Sequence, residues 1–478
     1  MVQPQLPLEL WLYITQFIPD AALRKDLLEV NKFFYEISMD LRYRQVHLQT
    51  LNPTTLKIIS RLSDPHVGKR VRHLTVGPDF RHFDYSPPPA QKRRTTIRNR
   101  ISSALHLLSR IPEPVAPPGH EATKALIDVL PGLTNVSSFV IDSHSWIPYS
   151  RLNINRFLQT SWSAFSSNLT TLSLRGHTAS FHTIIHSRPE FPLLRELVFE
   201  LMDHPHTDQF QLNAAEILLG DVVPFINSFA PRLQALTMLY WGDYDLSEFL
   251  KRLGEFPLLS AFNFQATFSR TLETDPSGLT SFIEKHCSRL EHIVLRLYPS
   301  PVGLNNATDE PLDRWMKQCF TSVQLSRLRE LHMYPTSYAD GMDALISCLQ
   351  QTRDTLTNLV VRDLHLDLVQ LERIVNTIGP NLRYLRFNVR KMNVELFDML
   401  SRLTSLESLS LYIGTITPTF FMDIESRRYK DWKLKNIAVW HGYQLEKSLM
   451  YSIMTSLPFS KNHWDRETAL EIAESDLR

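Results

Sequence analysis

Apolar residues recur along this chain in a six-residue phrase, L-x-x-L-x-L, whose clearest copy is Leu406-Glu407-Ser408-Leu409-Ser410-Leu411. Successive side chains of a β-strand point to opposite faces, so the fourth and sixth places enter a core and the residue between them points out. Twelve copies start at Val71, Val136, Leu169, Leu194, Leu233, Leu259, Leu290, Leu328, Leu356, Leu382, Leu406 and Leu434, and from Val136 on the starts lie 24 to 39 residues apart. Helical spacing returns between phrases, for example over 345–351, 367–377 and 394–403. Proline often stands just before the phrase, as in Phe191-Pro192-Leu193-Leu194 and Phe256-Pro257-Leu258-Leu259. There it ends the helix and enforces extended backbone. The pattern predicts an α/β chain of about twelve strand-helix units stacked as a solenoid, each burying its apolar side against its neighbours. At roughly 1.5–3 kcal/mol for each fully buried Leu or Phe, twelve apolar triplets suffice to drive the stacking.

Residues 6–48 depart from this pattern. Pro7 suits a first helical turn, where its missing N–H would be unpaired anyway. Leu10, Trp11, Ile14, Phe17 and Ile18 then fall on one helical face. Pro19 and Asp20 are expected to end that helix and cap a second, in which Leu23, Leu27, Val30, Phe34, Ile37 and Leu41 form one stripe. Two facing stripes predict a hairpin with those residues as its core. Leu8, Leu12 and Leu28 are left on the opposite faces, and a helix that is apolar on two sides needs two sets of partners. Covering the end of the repeat array would supply one set. Docking of another protein would supply the other.

Three pieces of this segment, in order, resemble an F-box of the fungal kind: Leu6-Pro7-Leu8-Glu9-Leu10-Trp11-Leu12-Tyr13-Ile14, Asp26-Leu27-Leu28-Glu29-Val30-Asn31-Lys32-Phe33-Phe34, and Leu41-Arg42-Tyr43-Arg44-Gln45-Val46-His47-Leu48. They follow the family's L-P-x-E-[LI]-x-x-x-[IL] and L-x-x-V-x-x-x-[FW] patterns and end in a stretch like its L-Y-R-x-V-x-L, with Asn31 where many members carry cysteine. The resemblance implies docking to the Skp adaptor of a Skp–cullin–F-box ubiquitin ligase. Carried over from the family pattern, adaptor contact falls on Leu6, Pro7, Leu10, Ile14, Leu27, Leu28, Val30 and Phe33; the two-face reading adds Leu8 and Leu12. The repeats are similar to the irregular leucine-rich repeats behind many F-boxes. Regular copies carry Asn or Cys three places after the sixth position; that place here holds Asp79, His144, His177, Met202, Trp241, Thr267, Tyr298, Thr336, Leu364, Arg390, Gly414 and Gly442. The expected organisation is an F-box domain over 1–50 and a leucine-rich-repeat-like solenoid over 51–478.

Within the solenoid, 77–120 reads as an insertion of loop, helix and loop, marked by Pro87-Pro88-Pro89 and by Pro112, Pro114, Pro117 and Pro118. Its basic cluster, Lys92-Arg93-Arg94 with Arg98 and Arg100, fits a solvated loop, an import signal or a phosphate contact. Residues 464–478 read as a terminal helix covering the last repeat.

Composition narrows the function class. With 51 basic and 50 acidic residues, nothing drives the chain as a whole toward nucleic acid or an anionic membrane. Cys287, Cys319 and Cys348 show neither metal-ligand spacing nor a disulfide framework, which points to reduced thiols in an intracellular setting, cytoplasmic or nuclear. The N-terminus lacks the basic n-region of a signal peptide, and no apolar run has bilayer-spanning length. There is no G-x-S-x-G, Walker loop or G-x-G-x-x-G. His204, His206 and Asp208 alternate as metal ligands can, but with Pro205 between them they read more simply as a loop. No catalytic residue, metal or cofactor is expected.

A binding surface is easier to derive. The residue after each sixth position faces outward, giving a row that includes Arg296, Tyr334, Arg362, Asn388, Tyr412 and Trp440; the neighbouring row adds His332 and Arg386. Arg, Tyr and Trp dominate protein–protein hot spots. These eight residues are the expected target-binding set, and an arginine-rich row is compatible with a phosphorylated target. The leading expectation is the substrate-recognition subunit of a Skp–cullin–F-box ligase, non-catalytic itself. The alternatives are a leucine-rich-repeat scaffold with no ligase role and, last, a metal hydrolase built on the histidine pair.

Overall fold

The computed structural model describes residues 8–15, 17–18, 22–23, 27, 30–49, 52–77, 119–143, 151–186, 190–202, 214–242, 244–268, 272, 275–298, 310–335, 339–427, 429 and 432–441. The basic cluster at 92–100, the His204/His206/Asp208 group and the expected helix at 464–478 lie outside them. The chain forms two compact units, Met1–Leu194 and Arg195–Arg478.

The first unit opens with α1 (Leu8–Thr15) and α2 (Lys32–Tyr43), followed by β1 (Gln45–Leu48), α3 (Pro53–Leu62), α4 (Pro65–Gly68) and β2 (His73–Val76). After them come α5 (Gly119–Val129), β3 (Ser138–Ser143), α6 (Arg151–Phe165), β4 (Thr171–Gly176) and α7 (Thr178–His186). Strands β1 to β4 pair in sequence order, all parallel. Asparagine sets two helix starts: the Asn31 side chain accepts from the Phe34 N–H at 3.0 Å, and Asn52 accepts from Thr55 at 2.9 Å with Pro53 in the first turn.

The second unit carries β5 (Glu196–Leu201), α8 (Ala214–Ile217), a π-turn at Leu218–Val222, α9 (Val223–Asn227), β6 (Ala235–Tyr240), α10 (Ser247–Arg252), β7 (Ala261–Thr267), α11 (Ser277–His286), β8 (His292–Tyr298), α12 (Glu310–Ser322) and β9 (Glu330–Met333). It continues with α13 (Ala339–Gln351), β10 (Asn358–Leu366), α14 (Leu368–Thr377), β11 (Tyr384–Met392), α15 (Val394–Leu400), β12 (Ser408–Ile416), α16 (Phe420–Glu425) and β13 (Asn436–His441). Each strand pairs in parallel with the next in sequence. Helix α14 starts with a capping box: Gln370 N–H donates to the Asp367 carboxylate at 2.9 Å, and Asp367 N–H donates to the Gln370 side chain at 3.0 Å.

Both units are therefore stacks of strand-helix repeats, the α/β architecture the phrases predict. All twelve phrases become strands, β2 to β13, and every first, fourth and sixth residue is at most 3% exposed. Helices close the apolar side. In the first unit Phe139 of β3 packs on Phe157, Trp162 and Phe165 of α6 at ring separations of 6.4, 5.9 and 4.9 Å. In the second, Phe262 of β7 meets Phe282 of α11 at 4.7 Å.

One strand escaped the phrase. Strand β1, Gln45–Leu48, pairs with β2 through Val46↔Leu74 and Leu48↔Val76, so the tail of the F-box-like segment is the first rung of the ladder. Its apolar residues alternate as in the other strands, but no leucine stands at the phrase's first place. The regular Asn position is empty throughout, yet asparagine bridges the repeats elsewhere. Asn135, Asn168 and Asn381 each stand just before a phrase and donate Nδ2–H to a carbonyl of the preceding repeat, on Lys69, Thr134 and Asp354, at 2.7 to 2.8 Å. No helix of the described residues is long and apolar enough to cross a membrane.

Candidate functional site

Two surfaces stand out. The first, in the Met1–Leu194 unit, is built on α1 and α2. The Trp11 ring lies 5.8 Å from Phe33 and 5.2 Å from Phe34, and Phe34 is buried. Helix α2 is tied to α4 by Arg70, which pairs with Glu36 and Asp40 and donates to the Glu36 carbonyl at 3.2 Å. The Arg70 hydrogen bond holds the Glu36 carboxyl below its ordinary value.

This packing corrects the expected hairpin core. Leu10, Ile14 and Phe17 are exposed (47, 37 and 69%), as are Tyr13 at 59% and Val30 at 59%. A single indole fills the seam between the helices, which leaves the neighbouring apolar side chains of α1 outside it. Val30 is exposed because the stripe assumed one continuous helix, whereas α2 begins only after the Asn31 cap. The edge-on pair Tyr13–Phe17, 5.0 Å apart, extends the same apolar patch. Leu27 and Phe33 are half-buried. Leu6, Pro7 and Leu28, and the side chains of Leu8 and Leu12, lie outside the described residues.

The second surface is the outward face of β8 to β13, in the Arg195–Arg478 unit. Three rungs cross it. The first reads His292, Glu330, Asn358, Tyr384, Ser408, Asn436; the second Val294, His332, Val360, Arg386, Ser410, Ala438. The third holds Arg296 and, at its far end, His365, Asn388, Tyr412 and Trp440 in register.

The third rung contains a correction. Pairing of β10 with β11 jumps from Val361↔Phe387 to His365↔Asn388, so His365 takes the place expected of Arg362. Arg362 falls in the bulge. Counting a fixed offset from the sixth position misses this, because an inserted stretch leaves the leucine spacing before it untouched.

Several of the expected target-binding residues bond to one another or to neighbours on the face. His332 Nε2 lies 2.9 Å from Glu330 Oε1, and His292 Nδ1 lies 3.2 Å from Glu330 Oε2. His292 above all, and then His332, hold the Glu330 carboxyl far below the ordinary carboxylate range; Glu330 in turn raises the pKa of His292. Trp440 Nε1–H donates to Ser410 Oγ at 3.2 Å. His365 meets Tyr412 edge-on at 5.7 Å, leaving Tyr412 exposed. Arg296 lies over the Tyr298 ring at 5.1 Å, and Tyr298 stacks on Trp241 at 5.9 Å. Tyr334 follows β9 and is half-buried. Arg386 is half-buried and hydrogen-bonded to Tyr384; burial, then the charges of Arg362 and Arg296, push its pKa down.

His292, Glu330 and Tyr384 were absent from the sequence-derived set. They occupy the third place of each phrase, and strict alternation along the strand would have found them. Cys319 and Cys348 are buried in helices, and burial pushes both thiols up to about 12, far from the thiolate form a nucleophile needs.

No protein-family model and no curated protein sequence matches the chain. Among solved structures it is similar to a chain in the crystal structure of the Rad7 and Elc1 complex in yeast, at 13% identity and a TM-score of 0.36, over 85% of this chain and 87% of that one.

Proposed function

We propose that the chain is the substrate-recognition subunit of a Skp–cullin–F-box ubiquitin ligase. Its F-box segment, residues 1–50, docks the Skp adaptor, and the strand face of the second unit holds a target protein. The observation that carries this reading is the exposure of Leu10, Tyr13, Ile14 and Phe17 along α1 and the turn after it, and of Val30 just before α2, while Trp11, Phe33 and Phe34 pack between the two helices. Apolar side chains concentrated on one small element mark a protein-binding surface. If the segment served only to cover the repeats, its apolar residues would be buried against them.

The chain supplies proximity and no bond-making residue: a target held beside a ubiquitin-charged enzyme reacts at high effective concentration. The adaptor-contact set is Leu6, Pro7, Leu8, Leu10, Leu12, Ile14, Leu27, Leu28, Val30 and Phe33. Mixing purified chain with cullin, with and without the Skp adaptor, tests the reading. Cullin retained only when the adaptor is present supports it. Failure of a folded chain to retain either subunit leaves the scaffold role in its place.

A further inference from the structure

The edge at which strands β9 to β11 begin carries a cavity of about 300 Å³, lined by Arg329, Asp354, Thr355, Thr357, Asn381 and Arg383. Asn358 pairs with Glu330 of β9 and with Tyr384 of β11, so Arg329 and Arg383, one place earlier, flank Thr357. Main-chain bonds lock this row: Thr357 N–H donates to the Arg329 carbonyl and Arg383 N–H to the Thr357 carbonyl, both at 2.8 Å. With strands about 4.8 Å apart, the two arginines stand about 10 Å apart at the backbone. The wall is the turn between α13 and β10, where the Asp354 carbonyl accepts from Asn381 Nδ2–H at 2.8 Å. The Asp354 carboxylate makes no hydrogen bond or ion pair among the described residues. Arg329 reaches Glu291 only through Nε at 3.8 Å, while Arg327 takes the other Glu291 oxygen at 3.2 Å. Arg383 acts on Glu407 through its charge, but the hydrogen bond to Glu407 comes from Lys435, at 2.7 Å.

Every lining side chain is polar, so the cavity suits a charged, water-soluble molecule, and its volume lies at the small end of ligand pockets. The charges narrow the class. Two guanidinium groups outweigh one carboxylate and disfavour a simple cation. A phosphate or sulfate would bring its charge beside Asp354, where like charges repel. A zwitterion with two carboxylates satisfies all three groups. Each guanidinium fork takes one carboxylate, and Asp354 takes the ammonium. Two long arginine side chains reaching in from either side of Thr357 suit carboxylates joined by a short carbon chain.

We infer that this cavity binds an acidic α-amino acid of the glutamate type, with Arg329 and Arg383 on its two carboxylates and Asp354 on its ammonium. The site stands apart from the receptor role: neither adaptor docking nor a target protein enters it.

The test is calorimetry of the full chain at low salt with L-glutamate, beside glutarate, which lacks the ammonium. L-Glutamate is expected to bind with a Kd of about 1 mM or tighter, and glutarate about tenfold more weakly. Arg383→Gln should weaken L-glutamate about tenfold, and Asp354→Asn should bring the two ligands to similar affinity. Arg383 and Asp354 are exposed, so both variants should keep the parent's unfolding midpoint. Arg329→Gln, also at an exposed position, repeats the first test from the other side of the cavity. No heat from L-glutamate, glutarate binding as tightly as L-glutamate, or an unchanged preference in Asp354→Asn would each overturn the assignment. So would sulfate displacing L-glutamate at equal concentration, which would mark the cavity as a site for an adventitious ion only.

Discussion

At the scale of single residues, His286 shows how a histidine serves the core. It is fully buried, its Nδ1–H donates to the Phe282 carbonyl at 2.7 Å, and its Nε2 accepts from the Phe256 N–H at 3.0 Å. Acceptance at Nε2 requires the neutral ring, and burial lowers its pKa from the ordinary 6.5. The sign follows from linkage. Above 6.5 both folded and unfolded chains hold the ring neutral, and its contribution to stability is fully present. As pH falls below 6.5 the unfolded chain binds the proton first, so stability is lost down to the lower folded value. His292 has the opposite sign: raised by Glu330, its contribution is complete at low pH and lost as pH rises through its folded value. Urea melts of His286→Gln from pH 5 to 8 should show about 1–3 kcal/mol less stability than the parent at pH 8 and a shallower decline toward pH 5. An acid limb parallel to the parent's would contradict this account.

At the scale of elements, the six-residue phrase carries most of the fold. Twelve strands were legible because a half-buried parallel strand needs its fourth and sixth side chains inside, and the turn before it needs the first. What stayed hidden has physical causes. Strand β1 lacks the leading leucine. The β10 bulge changes pairing without changing the leucine spacing before it. The α1 face was misassigned because one tryptophan fills the seam that a row of smaller side chains was expected to fill, and Val30 because it precedes the Asn31 cap of α2. Of the eight residues expected on the outward face, Arg362 was displaced by the bulge, and the pairing of Glu330 with His292 depends on two strands far apart in sequence. Asn168 makes one inter-repeat bond of this kind, to the Thr134 carbonyl at 2.8 Å. Asn168→Ala should cost about 1 kcal/mol in thermal or urea unfolding, and removing the α14 cap with Asp367→Ala should cost about the same. Loss of less than a few tenths in both would show that stacking alone sets the repeat geometry.

At the scale of the whole molecule, the proposed receptor role gives each unit its own task. The exposed apolar patch belongs to Met1–Leu194 and the arginine-aromatic face to Arg195–Arg478. The proposed receptor would use a constant surface for the ligase and a variable one for the target. Adaptor docking is tested by a calorimetric titration of the purified full chain with the Skp adaptor, beside Leu10→Asp/Val30→Asp. Both substituted side chains are exposed, so the variant should keep the parent's circular dichroism and unfolding midpoint. Micromolar or tighter binding by the parent, weakened at least about 100-fold in the variant, is the predicted result. A folded parent that gives no heat of binding, or a variant that binds as well as the parent, would contradict it.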